Sequence, residues 1–279
     1  MNVEIEGVEV AVWNDGAGVE PVLSPRPYLH PVRTLGGAVV TEEVPADHRH
    51  HLGVGVAVPD VSGASFWGGR TFTPDRGSVL LDNHGRQRSG GLRPGPEGED
   101  LVEEVVWEGP DGRELLREER RWRARRLDGS GWALDLECAV RNTSGRDLSV
   151  GSPATNGRAG AGYGGLFWRA PIGARAPLVL GPGGARGEGD LHGSRAAWVA
   201  LCGGDAAAPW TLVFHQPGGR TDPWFVRARE YPGVGPALAW EERLALPAGR
   251  VLVRALRTAV LDGRVEDPGV LAAAVAAPA

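Results

Sequence analysis

The chain is written in short apolar runs broken by turn signals. VEIEGVEVAVW alternates polar and apolar positions and stops at NDGAG, the period-2 pattern of a half-buried strand followed by a turn. LVEEVVWE, then PDG, RELLREERRWRARR, LDGSG, WALDLECAV and RNTSG follow one another as a meander of strand, turn and strand. Near the end ALAWEERLAL, PAG and RVLVRALRTAV repeat the scheme. ELLREERRWRARR has helix-forming residues, but its flanking turns and neighbours favour a strand. Stretches with 3.6-residue periodicity are nearly absent. The pattern predicts an all-β fold, a large antiparallel β-sandwich, strongly curved.

Glycine (43) and proline (22) punctuate the 279 residues throughout rather than at one boundary. No linker or internal repeat stands out, so residues 1–268 read as a single β-sandwich domain and 269–279 as a C-terminal tail or short helix. The stretches 89–100 (SGGLRPGPEGED) and 181–193 read as surface loops. Cys138 and Cys202 lie far apart in apolar runs, as reduced buried thiols do. With no secretory pattern at the start and no apolar run near the roughly 20 residues of a membrane span, the expectation is a cytoplasmic protein that engages no membrane. The net charge of −5 and the scattered arginines offer no basic stripe for a nucleic acid.

All 30 basic residues are arginine. That excludes Schiff-base lysine chemistry, pyridoxal phosphate attachment and a P-loop. Richness in Gly, Ala, Arg and Pro points to a high-GC, actinobacterial genome. No GxSxG, GxGxxG, HExxH or CxxC pattern occurs, which removes serine-hydrolase, dinucleotide and zincin readings.

The candidate chemistry gathers at 47–53, DHRHHLG, where three of seven histidines fall. In an extended chain His48 and His50 share one face, and Asp47, Arg49 and His51 the other. HxH on a strand face is a metal-ligand arrangement, so His48 and His50 are candidate ligands of a divalent metal. A turn at His50–His51 would instead bring all three together. Ionisable clusters of this kind mark functional sites, against the plainer reading of a solvated strand end. His84 in LLDNHGRQ is a further candidate acid or ligand. His215, ending TLVFH, reads as bordering the same cavity, and His192 as surface. In AWEERLAL, alternation places Glu242 on a face with Trp240, Leu244 and Leu246, where an apolar setting would suit a general acid or base. Ten tryptophans against three tyrosines and five phenylalanines offer flat apolar faces with an N–H donor, suited to sugar rings. Trp67 is the candidate pocket wall, while Arg169 and Arg227, each after aromatic residues, are candidate substrate anchors.

PYLHPVRTLGG, DHRHHLG, VSGASFWGG, YGGLFWRAP, RAAWVAL and HQPGGRTDPWFVRARE in this order resemble the PmoA-like family of bacterial proteins, across about residues 25 to 262. Asp47, His48, His50 and His51 match the DHPHHRG pattern of that family; Arg49 and Leu52 depart from it, as does HQPGG, from His215, where an HPxN-like motif is expected. The family label names a methane oxygenase subunit, which the lack of a spanning segment opposes. The resemblance implies a galactose-mutarotase-like supersandwich and sugar metabolism. The leading reading is a carbohydrate-active enzyme doing acid–base chemistry on a sugar or keto-sugar: epimerisation, mutarotation or β-elimination, with or without a divalent metal. His48, His50, His51, His84 and Glu242 are its candidate catalytic residues, and Asp47, Trp67, Arg169, His215 and Arg227 its candidate substrate contacts. The alternatives are a non-catalytic carbohydrate-binding protein and a cupin-like metal-dependent oxygenase. A small carbohydrate is the expected partner, and a homodimer is open.

Overall fold

A computed structural model describes residues 1–96, 100–127, 129, 131–219 and 221–276. Among these the chain is an all-β sandwich of two large sheets. The first, here the site sheet, runs in the order Asn2–Ile5, Val8–Asn14, Tyr28–Val32, Val54–Ala57, Gly165–Arg169, Gly233–Pro236 and Trp224–Arg227. The second, the back sheet, runs Leu178–Leu180, Trp198–Gly203, Trp210–His215, Val251–Asp262, Gly131–Asn142, Glu114–Arg126, Asp100–Glu108 and Arg86–Pro94. Every named pairing within them is antiparallel. The arginine-rich segment is indeed a strand, Glu114–Arg126.

Alternation decides what each sheet face buries. Val54, Val56, Leu166, Trp168, Trp224 and Val226 of the site sheet meet Trp107, Trp122, Trp132, Leu212 and Phe214 of the back sheet in one core. The intervening residues Ala57, Phe167 and Phe225 point the other way and form a second aromatic cluster with Trp67 and Tyr231. Val54–Ala57 and Gly165–Arg169 are buried at every position, so the outer face of the site sheet is covered too, here by loops.

The core between the sheets encloses an ionic network. Arg120, fully buried, donates to both carboxylate oxygens of buried Glu118, at 2.7 and 2.9 Å, to the Gln87 side chain at 2.9 Å and to the Pro27 carbonyl at 3.0 Å. Trp107 Nε1 donates to the same Glu118 at 2.8 Å. The site-sheet segment that begins at Pro27 is thereby tied to the back sheet. Glu103, 3.9 Å from Arg120, is pushed up in pKa by burial.

Two expectations change. The 89–100 stretch is not one loop: Arg86–Pro94 is an edge strand, and Gly90–Gly91 sit at a bulge in its pairing with Asp100–Glu108, so the glycines mark an irregular strand instead of its end. Residues 97–99 lie outside the described residues. The 181–193 stretch contains a 3-10 turn, Pro182–Gly184, and a one-turn helix, Glu188–Leu191. Of the tail or short helix expected at the C-terminal end, the structure has the helix, Pro268–Ala276, whose Ala272 and Val275 pack on the outer face of the back sheet against Ala200 and Val213; residues 277–279 lie outside the described residues. Arg257 holds the end of that helix by donating to the Val275 and Ala276 carbonyls, both at 3.2 Å. Cys138 and Cys202 are free and buried. No helix among the described residues is long and apolar enough to cross a membrane.

Removing one member of a buried ion pair strands the other. Arg120→Met is therefore expected to lower stability by about 3–5 kcal/mol in urea unfolding, and the Arg120→Met/Glu118→Leu double variant to lose less than the single one. A double variant that loses more than the single would count against this account of the network.

Candidate functional site

DHRHHLG is not extended. It lies in a loop that leaves and rejoins the site sheet at one residue: the Glu42 N–H donates to the Arg169 carbonyl at 3.0 Å and the Arg169 N–H to the Gly53 carbonyl at 2.8 Å. Within it, His48 N–H donates to Pro45 at 3.0 Å, His51 N–H to His48 at 2.8 Å and Val44 N–H to His51 at 2.9 Å. These turns replace the alternation expected of a strand, and His48 and His50 do not share a strand face. Gly53 closes the loop with φ +38°, and a Cβ there would lie 2.0 Å from the Leu29 carbonyl oxygen, so no larger residue fits.

The turn brings all three histidines together. His48 stacks on His51 with ring centroids 4.8 Å apart, and His50 meets His51 edge-on at 4.7 Å. Around them stand Tyr231, at 4.4 Å from His48 and 4.9 Å from His51, Trp67 at 5.6 Å from His51, and Phe167 at 5.2 Å. Trp67 continues to Tyr163 at 4.6 Å and Tyr163 to Phe225 at 5.4 Å.

Each histidine has its own setting. His51 is buried and its Nδ1 has no hydrogen-bond partner among the described residues. Burial, followed by the other two histidines and Arg169, holds it well below the usual imidazole range. Burial and nearby Arg26 bring His50 down to about 3. Both are neutral at physiological pH. His48 is half-exposed, and its Nδ1 lies 2.9 Å from Asp47 Oδ2. An ionised carboxylate there requires Nδ1–H, which leaves the Nε2 lone pair free. Burial acts to raise the Asp47 pKa, but the His48 hydrogen bond, the backbone and Arg169 outweigh it and hold the carboxyl low.

Two buried arginines support the turn. Arg169 lies 3.0 Å from Glu42, 3.9 Å from Asp47 and 5.1 Å from the Tyr231 ring centroid. Arg26 donates to the carbonyls of Leu23, Ser24, Trp67 and His50. Burial, followed by repulsion from Arg120, lowers its pKa to about 9, so it stays charged at neutral pH. Gly69 packs against His50: a Cβ at Gly69 would lie 2.9 Å from its Nδ1.

At the other end of the aromatic row, His192 is half-buried, not on the surface as expected. Its Nε2–H donates to the Gly160 carbonyl at 2.7 Å and its Nδ1 accepts from Val226 N–H at 3.2 Å. Its ring packs on Phe225 at 5.3 Å and on Trp240 at 4.9 Å. Arg227 beside it pairs with Glu188 at 3.2 Å.

Of the residues singled out from sequence, Asp47, His48, His50, His51, Trp67 and Arg169 converge, and Arg227 stands on the same sheet face. His84 is one residue layer away: its Nε2–H donates to the Gly69 carbonyl at 2.7 Å, and it lines a separate cleft of about 780 Å³ with Asp15, Pro21, Arg86 and Arg88. Two others do not join the site. His215 lies on the back sheet, on the outer face with Val213 and opposite Arg257, because Phe214 takes the core position. Glu242 is exposed in the bend before the strand Leu244–Leu246, so alternation does not extend back to it. Among the described residues no three His, Cys, Asp or Glu side chains are arranged to hold a metal ion: the His48 Nδ1 is committed to Asp47 and the His51 Nδ1 is sealed off, so the His48–His50 pair does not complete a ligand set.

Tyr231, Tyr163, Glu42, Arg26, Glu188 and His192 were not anticipated. One signal was available. Phe167-Trp168-Arg169 and Phe225-Val226-Arg227 repeat the same Phe-x-Arg spacing, which by alternation marks one sheet face where aromatics and cations sit together.

A sequence model described as a family of unknown function, DUF6807, matches residues 1–276. No curated protein is significantly similar in sequence to the chain. Among solved structures, the chain is similar to the GH36 α-galactosidase AgaA of Geobacillus stearothermophilus, at 12% identity and a TM-score of 0.37, over 68% of this chain and 29% of that one. It is also similar to a heparinase III at 11% identity and a TM-score of 0.25, over 64% of this chain and 22% of that one. The chain thus spans less than a third of the length of either.

Burial lowers the pKa of His30, His50, His51, His192 and His215. At pH below about 6.5 the unfolded chain binds these protons and the folded chain does not, so stability falls as pH falls, by about 1.4 kcal/mol per pH unit for each histidine engaged. Urea midpoints are expected to drop steadily from about pH 6.5 to about pH 5, and His50→Gln to shallow the slope. A midpoint constant over that window would contradict the buried neutral histidines.

Proposed function

We propose, from the premise that the chain belongs to the DUF6807 family of unknown function, that it is a carbohydrate-active enzyme moving protons on a sugar or keto-sugar. The observation that carries this reading is the Asp47–His48 dyad, a half-exposed imidazole oriented by a carboxylate at 2.9 Å at one end of a row of aromatic rings. A base needs a lone pair aimed outward and a partner that stabilises the cation it becomes. His48 Nε2 supplies the first and Asp47 the second.

In mutarotation, His48 would take the anomeric hydroxyl proton as the ring C–O bond opens and the departing ring oxygen takes a proton from water; on closure that hydroxyl gives its proton back to water and His48 returns its own to the new anomeric oxygen. In epimerisation it would take a proton from the carbon next to a carbonyl. The half-buried Tyr163 ring would offer a face for the C–H side of a sugar, with the buried Trp67 packed behind it at 4.6 Å. The neutral His51, stacked beneath His48, provides a surface that adds no second positive charge when His48 is protonated. The resemblance to PmoA-like proteins and a mutarotase-like supersandwich weigh on the same side, toward sugar chemistry.

The test is proton NMR in deuterated buffer on a panel of reducing sugars and keto-sugars. The wild-type protein should accelerate anomer interconversion or exchange of a carbon-bound proton. His48→Ala should reduce that rate by about 10²–10⁴-fold while sugar-induced tryptophan fluorescence changes persist. Asp47→Asn should fall between. Binding without turnover in the wild type would make this a carbohydrate-binding protein, and an unimpaired His48→Ala would remove His48 from the chemistry.

A further inference from the structure

We infer that the cleft between the 15–25 loop and the edge strand Arg86–Pro94 is a second ligand site, one that holds a saccharide through neighbouring hydroxyls. It is separate from the histidine turn and does not depend on the chemistry assigned to His48.

The 15–25 loop is the partition between the two. On one side Glu20 accepts from Arg49 at 2.6 Å and the Val22 carbonyl accepts from Gly69 N–H at 2.8 Å, which ties the loop to the histidine turn and to the residue packed on His50. On the other side the Pro25 carbonyl accepts from Gln87 N–H at 2.7 Å, against the edge strand. The cleft of about 780 Å³ on that side falls within the roughly 300–1,000 Å³ of small-molecule sites.

Alternation sets up the donors. Gln87 points into the core, where its amide donates to the Val56 carbonyl at 2.8 Å, so Arg86 and Arg88 both point outward. Buried Glu108, the cross-strand partner of Arg86, takes both guanidiniums. Arg86 Nε donates to its Oε2 at 2.6 Å, and Arg88 Nε and Nη2 donate to its Oε1 at 3.1 and 2.8 Å. Burial acts to raise the Glu108 pKa, but the hydrogen bonds from Arg88 and Arg86 outweigh it and hold the carboxyl low. An unheld surface arginine loses rotamer freedom when it binds a ligand. These two have lost it already, to an acid in the wall. Both Arg86 Nη atoms and Arg88 Nη1 have no partner among the described residues, so three donor groups remain for a ligand.

Acceptors line the same cleft. The Gly69 carbonyl takes a proton from His84 Nε2 at 2.7 Å, so Nδ1 of the neutral ring is a lone pair. That Nδ1 has no partner among the described residues and, unlike His51 Nδ1, is not sealed from solvent. Asp15 commits Oδ1 to the Ala17 N–H at 2.9 Å and leaves Oδ2 open. Val19, Pro21, Pro25 and Pro110 supply the apolar part of the lining.

This mixture fixes the class of ligand. A hydroxyl both donates and accepts. Neighbouring hydroxyls of a sugar accept from Arg86 and Arg88 and donate to His84 Nδ1 and Asp15 Oδ2, while the C–H faces meet valine and proline. Sulfate or a carboxylate only accepts, and leaves His84 and Asp15 unanswered.

The test is NMR of the full chain carrying isotope-labelled histidine, in which the His84 Nδ1 resonance reports directly whether its lone pair is engaged. Monosaccharides and disaccharides of glucose, galactose and mannose are titrated, with inorganic sulfate for comparison. At least one saccharide should move that resonance saturably. Arg88→Ala should weaken the binding by about tenfold. Glu108→Gln should do the same, because it removes no group that the sugar touches but releases both guanidiniums; if it does not fold, the exposed Arg88 variant decides alone. His48→Ala should leave affinity at the cleft unchanged. The inference is overturned if no saccharide moves His84, if sulfate moves it where no saccharide does, or if folded Arg88→Ala binds as the wild type does. Loss of the His84 response in His48→Ala would overturn the separateness of the two sites. Failure at the cleft leaves the His48 reading standing, since that reading is measured by proton exchange on the sugar and not at His84.

Discussion

Arg26 is the cation on which the site depends. It is almost wholly buried and pairs with no acid among the described residues, yet it donates to carbonyls from three separate stretches: Leu23 and Ser24, Trp67, and His50. Hydrogen bonds to a charged group are each worth roughly 1.5–3 kcal/mol, and four of them fix the relative position of the loops that carry the histidines and the pocket tryptophan. One residue further, the Pro27 carbonyl accepts from Arg120, whose other bonds reach Glu118 in the core. The segment between is thus pinned by two guanidiniums, one facing the site and one facing the sandwich interior. Both sit among carbonyl dipoles, where arginine outperforms lysine because it forks and keeps its charge.

The second organising fact is that the site keeps its imidazoles neutral. Three histidines within van der Waals reach of one another, ringed by Tyr231, Trp67 and Phe167, could not all be protonated without large repulsion in a poorly solvated space. Burial settles the matter for His50 and His51, and only His48 retains both solvent contact and an acid partner. Differentiation of like residues by environment, one poised and two passive, is how a cluster of a single residue type acquires distinct roles.

Much of this architecture was legible in the chain. Period-2 runs between turn signals identified the strands, and alternation in LFWRA and WFVRA correctly separates core tryptophans from outward phenylalanines and arginines. The ionisable cluster at 47–51 was visible as density alone. Its shape was not, because the turns are set by backbone bonds to Arg169 and by the close approach of Gly53 to Leu29, contacts between residues more than twenty positions apart. Glu242 misled for a related reason: the strand it was assigned to starts two residues later, and an alternation rule applied past a strand end assigns faces that do not exist. His192 sat in a glycine-rich stretch that looked featureless, yet Gly160 and Val226 fix both of its ring nitrogens.

The histidine loop begins and ends on the peptide of a single sheet residue, Arg169. A loop so closed is a cassette. Its two ends are fixed at one strand's width regardless of what lies between them, so residues can be exchanged, inserted or deleted inside it without shifting the register of Gly165–Arg169 against its neighbours. Such an arrangement separates the reactive turn from the sandwich beneath it and makes the 42–53 segment a natural unit to transplant as one piece.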